Sequence, residues 1–281
     1  MEYPKECILS SQLIFDTHAH YDDERFDDVR NELLETMHQN GVGGIVTCGC
    51  DKESSKSALS LAERYPYVYA AVGIHPCNID SGTTIQEIRQ LASQNKCVAI
   101  GEIGLDYYWE PEKKEEQIEV FEKQIILAKE LDLPILVHDR EAHEDTLKIL
   151  LKHRPKGVVH CFSGSVQTAK QLTDIGMYIG VGGVVTFKNA RKLPEVVAAI
   201  PDDKLLLETD CPYLAPEPYR GKLCHSGLIA LTAQKVAEIR NTSCENVLKL
   251  SFENAKTYLV YRINHPTFTD NICESGVIFH G

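Results

Sequence analysis

Short apolar runs rich in β-branched residues recur along the chain, separated by longer amphipathic stretches. The runs are Leu13 to Thr17, Gly44 to Cys48, Val68 to Gly73, Cys97 to Ile100, Pro134 to Val137, Gly157 to Val159, Met177 to Val181 and Lys204 to Leu207. Each has the length and residue types of a buried strand. Between them, Asp28 to Gln39, Glu53 to Arg64, Gln117 to Glu130, Ala142 to Leu151, Val166 to Asp174 and Leu193 to Ala199 read as helices. Crossovers of this length return the chain for a parallel neighbour. Eight such strands in 281 residues predict an α/β protein built as a closed (β/α)8 TIM barrel, a fold that takes about 250 residues. An open doubly wound sheet is the alternative, but its Gly-rich first turn is missing, since Asp-Thr-His-Ala-His follows the first apolar residues. Leu228 to Arg240 and Cys244 to Tyr258 read as C-terminal helices covering the barrel. The expected organisation is an N-terminal extension over 1–12, a barrel over 13–260, and a tail over 261–281 without sustained periodicity. The run EPEKKEE, from Glu110 to Glu116, reads as the acidic opening of a helix, where negative charge complements the helix dipole.

Charge narrows the partners. Twenty-nine Lys and Arg against 41 Asp and Glu give a net charge of −12. That excludes a broad basic surface holding nucleic acid by counterion release. Any phosphate must be met by something local. Ten cysteines scattered through a long chain read as reduced thiols in a cytoplasmic compartment, with the nucleus left open, rather than as a disulfide framework. The opening MEYPKECILSSQL lacks the basic and apolar regions of an export signal, and no segment approaches the roughly 20 apolar residues of a membrane span. The expectation is a protein neither exported nor membrane-inserted, with no obligate protein partner.

The metal-capable residues fall at the ends of the expected strands. His18 and His20 follow the first, Glu102 the fourth, His138 the fifth, His160 the sixth and Asp210 the eighth. In a barrel these ends converge on one mouth. Alternation along each strand also predicts shared faces for Asp16, His18 and His20, for Ile100 and Glu102, for Leu136 and His138, for Val158 and His160, and for Glu208 and Asp210. Four imidazoles and two carboxylates suit Zn²⁺, Mn²⁺ or another transition metal, with donors enough for two ions. Glu102 can bridge a metal pair about 3.5–4 Å apart. His75, Asp106 and Tyr107 face the same mouth, and Arg220, in the loop after the eighth strand, offers a donor fork for phosphate or carboxylate. Cys48 and Cys50 have i, i+2 spacing rather than that of a Cys-x-x-Cys hairpin and read as strand-end thiols. Cys161 and Cys211 each follow a candidate ligand and should point away from the mouth. These residues describe a metal-assisted hydrolase without naming its substrate.

The ordered set DTHAH, VGIHP, GEIGLDYY, LPILVHDREAHED, HCFSGS, GGVVTFKNA and ETDCPYLAPEPYRGK resembles the TatD-type metal-dependent deoxyribonucleases of the amidohydrolase superfamily, from about Phe15 to Tyr258. The resemblance implies hydrolysis of phosphodiester bonds, typically in DNA, at two divalent ions of Zn, Mn or Mg. It implies that His18, His20, Glu102 and Asp210 hold one ion, and that Glu102, His138 and His160 hold the other. Asp210 would orient or deprotonate the attacking water alongside the bridging Glu102, and His75 and Arg220 would engage the substrate phosphate. The DNA is expected to be single-stranded or held by an end. The chain departs from the family pattern where Cys224, His225 and Ser226 replace Asn-Glu-Pro, which changes the groove edge or the anchoring of that loop and puts substrate preference in question. Two other readings share the barrel. An amidase or lactonase would favour a carboxylated Lys bridge, where this chain has Glu102. A non-catalytic binding protein fits poorly with a full set of ligands. Cys273 in the tail receives no role.

Overall fold

The computed structural model describes Ser11 and residues 13–263. Apart from Ser11, the expected extension over 1–12, and the tail from residue 264 with Cys273, lie outside the described residues. Eight strands form the barrel: β1 (Ile14–Ala19), β2 (Val42–Cys48), β3 (Val68–Val72), β4 (Cys97–Asp106), β5 (Ile135–Arg140), β6 (Gly157–Val159), β7 (Tyr178–Val181) and β8 (Leu205–Leu207). Sequence neighbours pair in parallel from β1 through to β8. The ring closes just past β8, where Ala19 bridges Cys211. There the Asp210 amide donates to the His18 carbonyl at 2.9 Å, and the His20 amide donates to the Cys211 carbonyl at 2.8 Å. Closure therefore runs through the backbone of three candidate ligands.

The helices are α1 (Arg30–Gln39), α2 (Lys52–Arg64), α3 (Ile85–Ala92), α4 (Lys114–Glu130), α5 (His143–His153), α6 (Val166–Asp174), α7 (Lys192–Ala199), α8 (Ile229–Arg240) and α9 (Cys244–Ile263). Helix α3 was not expected from periodicity because it is short. Its start was nevertheless written in the chain: Thr84 and Glu87 form a reciprocal capping box, and Ile88, Leu91 and Ala92 are buried. Phe15, Val46, Ala71, Val98, Leu136, Val158 and Leu206 pack as one inner cluster, joined by Ala255, Tyr258 and Leu259 of α9. The Tyr258 hydroxyl donates to the Ile135 carbonyl at 2.9 Å and Asn254 donates to the Leu205 carbonyl at 2.8 Å. Helix α9 thus seals the end where the strands begin, leaving the opposite mouth for chemistry. It also runs to Ile263, past the expected start of the tail.

Two strands correct the expected placement of side chains. Strand β4 continues to Asp106, so Glu102 lies inside it, and His18 and His138 likewise lie inside their strands. The pairing register shifts between Asp16 and Ala19 and again between Ile100 and Ile103. A register shift reverses which face the following side chains take. Ile100 accordingly packs in the outer core while Glu102 enters the mouth, and the Asp16 carboxylate turns to Thr209, Ser226 and the His18 amide instead of joining the His18 ring in the mouth. Gly104 is required by the same irregular stretch: its φ is +145°, and a Cβ there would overlap the His138 carbonyl oxygen.

The Cys224-His225-Ser226 segment is no groove edge. All three residues are buried. Ser226 donates from its hydroxyl to Asp16 Oδ2 at 2.7 Å and from its amide to the Tyr21 hydroxyl at 2.9 Å, beneath the closure of β1 on β8. Ser226→Ala leaves the buried Asp16 carboxylate short of a partner. It should cost about 1–3 kcal/mol and lower Tm by several degrees, read by thermal melting. Burial pushes the His225 imidazole down to about 4. Between its unfolded value near 6.5 and this folded value, the unfolded chain binds the extra proton, so stability falls as pH drops through that window. The expected loss is about 3 kcal/mol across the window. A His225→Leu variant should show a correspondingly flatter dependence of Tm on pH between 6.5 and 4.

Candidate metal centre

The centre is built around Glu102, whose side chain is 4% exposed and whose two oxygens face different donor sets. Its Oε2 lies 3.4 Å from Nε2 of both His18 and His20. Asp210 Oδ1 approaches the same two nitrogens at 3.8 and 3.4 Å. Its other oxygen, Oε1, lies 2.7 Å from His160 Nε2, 2.8 Å from His138 Nδ1 and 3.6 Å from His75 Nε2. The rings of His18 and His160 stack at 3.8 Å between centroids, joining the two halves. Strands β1, β4 and β5 supply His18, Glu102 and His138, His160 directly follows β6, and His20 and Asp210 come from the segments that close the ring. Asp210 has a left-handed φ of 62°.

Neighbouring hydrogen bonds select the tautomer of three imidazoles. His20 Nδ1 meets the Cys48 carbonyl at 3.0 Å. A carbonyl only accepts, so Nδ1 carries the proton and the Nε2 lone pair faces Glu102 and Asp210. His138 Nε2 meets Asp106 Oδ2 at 3.0 Å, which frees Nδ1 toward Glu102. His75 is the reverse case. Its Nδ1 accepts from the Cys77 amide at 3.1 Å, so Nε2 keeps the proton and points a donor into the site. His20 and His138 are thereby set as ligands, and His75 as a hydrogen-bond donor.

The electrostatics fit cations. Burial alone would raise the Glu102 carboxyl, but the charges of His160, His18 and His75 and the hydrogen bond from His138 hold it well below the usual range. Burial also disfavours ionised Asp210, yet His20, His160 and His18 hold it below its ordinary value. Burial lowers His18 to about 4 and His75 to about 3, so both rings are neutral near pH 7. For His138, burial is outweighed by Asp106 and Glu102, which raise it to about 9. The nitrogens of His18 and His20, 3.2 Å apart, converge as lone pairs on a common cation would. The carboxylates are ionised, and the same carboxylates hold His20, His138 and His160 above the ordinary imidazole value against the opposing effect of burial, so a divalent metal would take its place there by displacing protons.

Arg220, in the loop after β8, holds its guanidinium 4.4 Å above the Phe187 ring. Two cysteines differ from expectation. Cys161 has a left-handed φ of 43°, so simple alternation fails there. Burial raises its thiol well above the usual range, and the charges of Asp210, Glu208 and Glu102 add to that. Cys50, read as a strand-end thiol, brings its sulfur within 4.8 Å of His20 and Glu102 donor atoms. Asp106 was placed at the mouth by its position alone, and its hydrogen bond to His138 was not legible. Asp106→Asn removes the anion that fixes the His138 tautomer and should weaken divalent-metal affinity about 10–100-fold, read by equilibrium dialysis. Because metal-free His138 stays protonated up to about 9, metal uptake near pH 7 should release protons, and affinity should weaken as pH falls. Calorimetry in buffers of different ionisation enthalpy checks this.

The family description TatD related DNase matches residues 15–260. The chain is 41% identical over 259 residues to an uncharacterized metal-dependent hydrolase, YabD, from Bacillus subtilis, covering 90% of this chain and all of that one. It is 34% identical over 248 residues to YcfH of Escherichia coli, also described as an uncharacterized metal-dependent hydrolase, covering 86% and 93%. Among solved structures, the TatD homolog YjjV of Escherichia coli superposes with a TM-score of 0.84 at 32% identity, over 89% of this chain and 98% of that one. Barrel, clustered donors and relatives agree, and the chain belongs to the TatD family of metal-dependent hydrolases.

Proposed function

We propose that the protein is a phosphodiesterase acting on DNA, single-stranded or held by an end, through two divalent ions of Zn, Mn or Mg. The observation that carries this reading is the division of Glu102 between two donor sets, with the His75 N–H held between them and the open mouth. His18, His20 and Asp210 on one side, and His138 and His160 on the other, are the proposed ligands, with Glu102 shared. Cations bound there supply a water of lowered pKa and neutralise charge developing on the phosphoryl oxygens.

The chain's own groups account for the remaining steps. Asp210 is held ionised and its side chain is 20% exposed, so it can accept a proton from a water approaching through the mouth. Glu102, almost wholly buried, keeps its charge between the imidazoles and holds the two halves in register. Neutral His75 donates from Nε2 to a non-bridging phosphate oxygen, a role that protonation elsewhere on its ring does not disturb. Arg220, outside the cluster, is assigned to substrate beyond the reacting phosphate. Among the described residues eight cysteines are free thiols, which suits a reducing cytoplasmic setting, and no described helix is long and apolar enough to cross a membrane.

The test is product analysis on end-labelled single- and double-stranded DNA with each metal in turn. Cleavage should require divalent metal, and Glu102→Ala should lower it by ~10²-fold or more while far-UV circular dichroism is preserved. Undiminished turnover in that folded variant overturns the assignment.

A further inference from the structure

Among the described residues, five large apolar side chains are exposed, and three of them are aromatics in mouth loops: Tyr108 (54%), Trp109 (62%) and Tyr213 (42%). Singly exposed apolar residues need no explanation. These three differ in that each ring is paired with an arginine. The Arg140 guanidinium lies 4.1 Å above the Tyr108 ring and 5.4 Å from that of Trp109, and Arg25 lies 4.5 Å above Tyr213. Arg140 forms no ion pair among the described residues, so its charge is uncompensated.

Position makes the pairs informative. Tyr108 and Trp109 follow β4, and Arg140 ends β5, two residues past His138. Arg25 follows β1 and Tyr213 follows β8. In an eight-stranded ring the junction of β4 with β5 lies opposite that of β8 with β1, so the two pairs flank the donor cluster from opposite sides. Asp106 ties one of them to the centre directly. Its Oδ1 accepts from the amides of both Tyr108 and Trp109 at 2.9 Å, while its Oδ2 holds His138 at 3.0 Å. One carboxylate therefore fixes the aromatic turn relative to a proposed ligand.

We propose that these pairs are base-stacking platforms, taking the nucleobases on either side of the scissile phosphate of single-stranded DNA. The proposal rests on the phosphodiesterase reading above and adds where the bases go. Flat, exposed rings beside a cation match what unpaired bases and their backbone present, and stacking tolerates any sequence because every base has a π-face. Bases in a duplex reach such rings only after unstacking. A single strand laid across the mouth places a base on each side and its phosphate over the cluster between.

Trp109 is the chain's one tryptophan, so its fluorescence reports the platform in the unmodified protein. The Mg²⁺-supplemented protein is titrated with a phosphorothioate octathymidylate, which resists cleavage, with the same-length abasic strand, and with a blunt hairpin duplex. Saturable quenching by the octathymidylate, at least roughly tenfold weaker with the other two, is the expected result. Equal quenching by the abasic strand, or none by any of the three, overturns the proposal. In kinetics, Trp109→Ala and Tyr213→Ala should each lower kcat/KM for single-stranded DNA at least roughly fivefold more than for bis(p-nitrophenyl) phosphate, a diester without bases. Equal losses on both substrates overturn it too. Base-dependent quenching in a protein that cleaves no DNA removes the phosphodiesterase reading and leaves the platforms. Cleavage without base-dependent quenching removes the platforms alone.

Discussion

A carboxylate kept ionised at 3% exposure is the constraint around which the mouth of this barrel is arranged. Removing such a charge from water costs on the order of several kcal/mol unless partners restore the lost solvation. Glu102 finds five imidazole nitrogens within 3.6 Å. Those imidazoles come from in or just after β1, β3, β5 and β6, segments on different parts of the ring, so the group that most needs compensation also needs the closed ring to obtain it. The length of β4, its register shift and the bare α-carbon at Gly104 all serve to carry Glu102 to that point and let β5 approach it.

Around this group the protein has decided proton positions in advance. The Cys48 carbonyl, Asp106 and the Cys77 amide each meet the far nitrogen of a ring and so determine what the near nitrogen offers. The near nitrogens of His20 and His138 are therefore the ones a cation would claim, by displacing a proton, while His75 keeps a proton there. Ring orientations set in advance spare the site that part of the reorganisation, which favours large electrostatic effects. Asp106 does more than fix a tautomer, because its second oxygen also holds the exposed aromatic turn. The geometry of the surface and that of the buried centre are thereby coupled through a single residue.

Net charge takes on a different meaning once the mouth is known. A chain at −12 cannot hold DNA by a basic face. On the proposed reading, attraction for phosphate would be concentrated where bound cations reverse the local sign, supplemented by single arginines such as Arg140 on the rim. Recognition confined to so few groups would favour local engagement of a strand over enclosure of a duplex.

The alternation of apolar runs with amphipathic stretches was sufficient for the barrel, because strand and helix periods differ and eight repeats leave few arrangements. The clustering of His18, His20, Glu102, His138, His160 and Asp210 was legible for a related reason: in a parallel barrel, equivalent positions along different strands meet at one end. Helix α3 escaped because eight residues give too little periodicity, although its capping box stood in the sequence. Face assignments by alternation failed at Asp16 and Ile100, where bulges add a residue that only pairing between strands reveals. For the segment from Cys224 to Ser226 the sequence left open a change at the groove edge or in the anchoring of the loop, and burial beneath the ring closure decides for anchoring, since which loop lies over which is set by packing. Local order thus determined the elements and the inventory of donors. The tautomers of His20 and His138 and the pairing of arginines with exposed rings depend on contacts between residues far apart in the chain, and only the folded structure decided them.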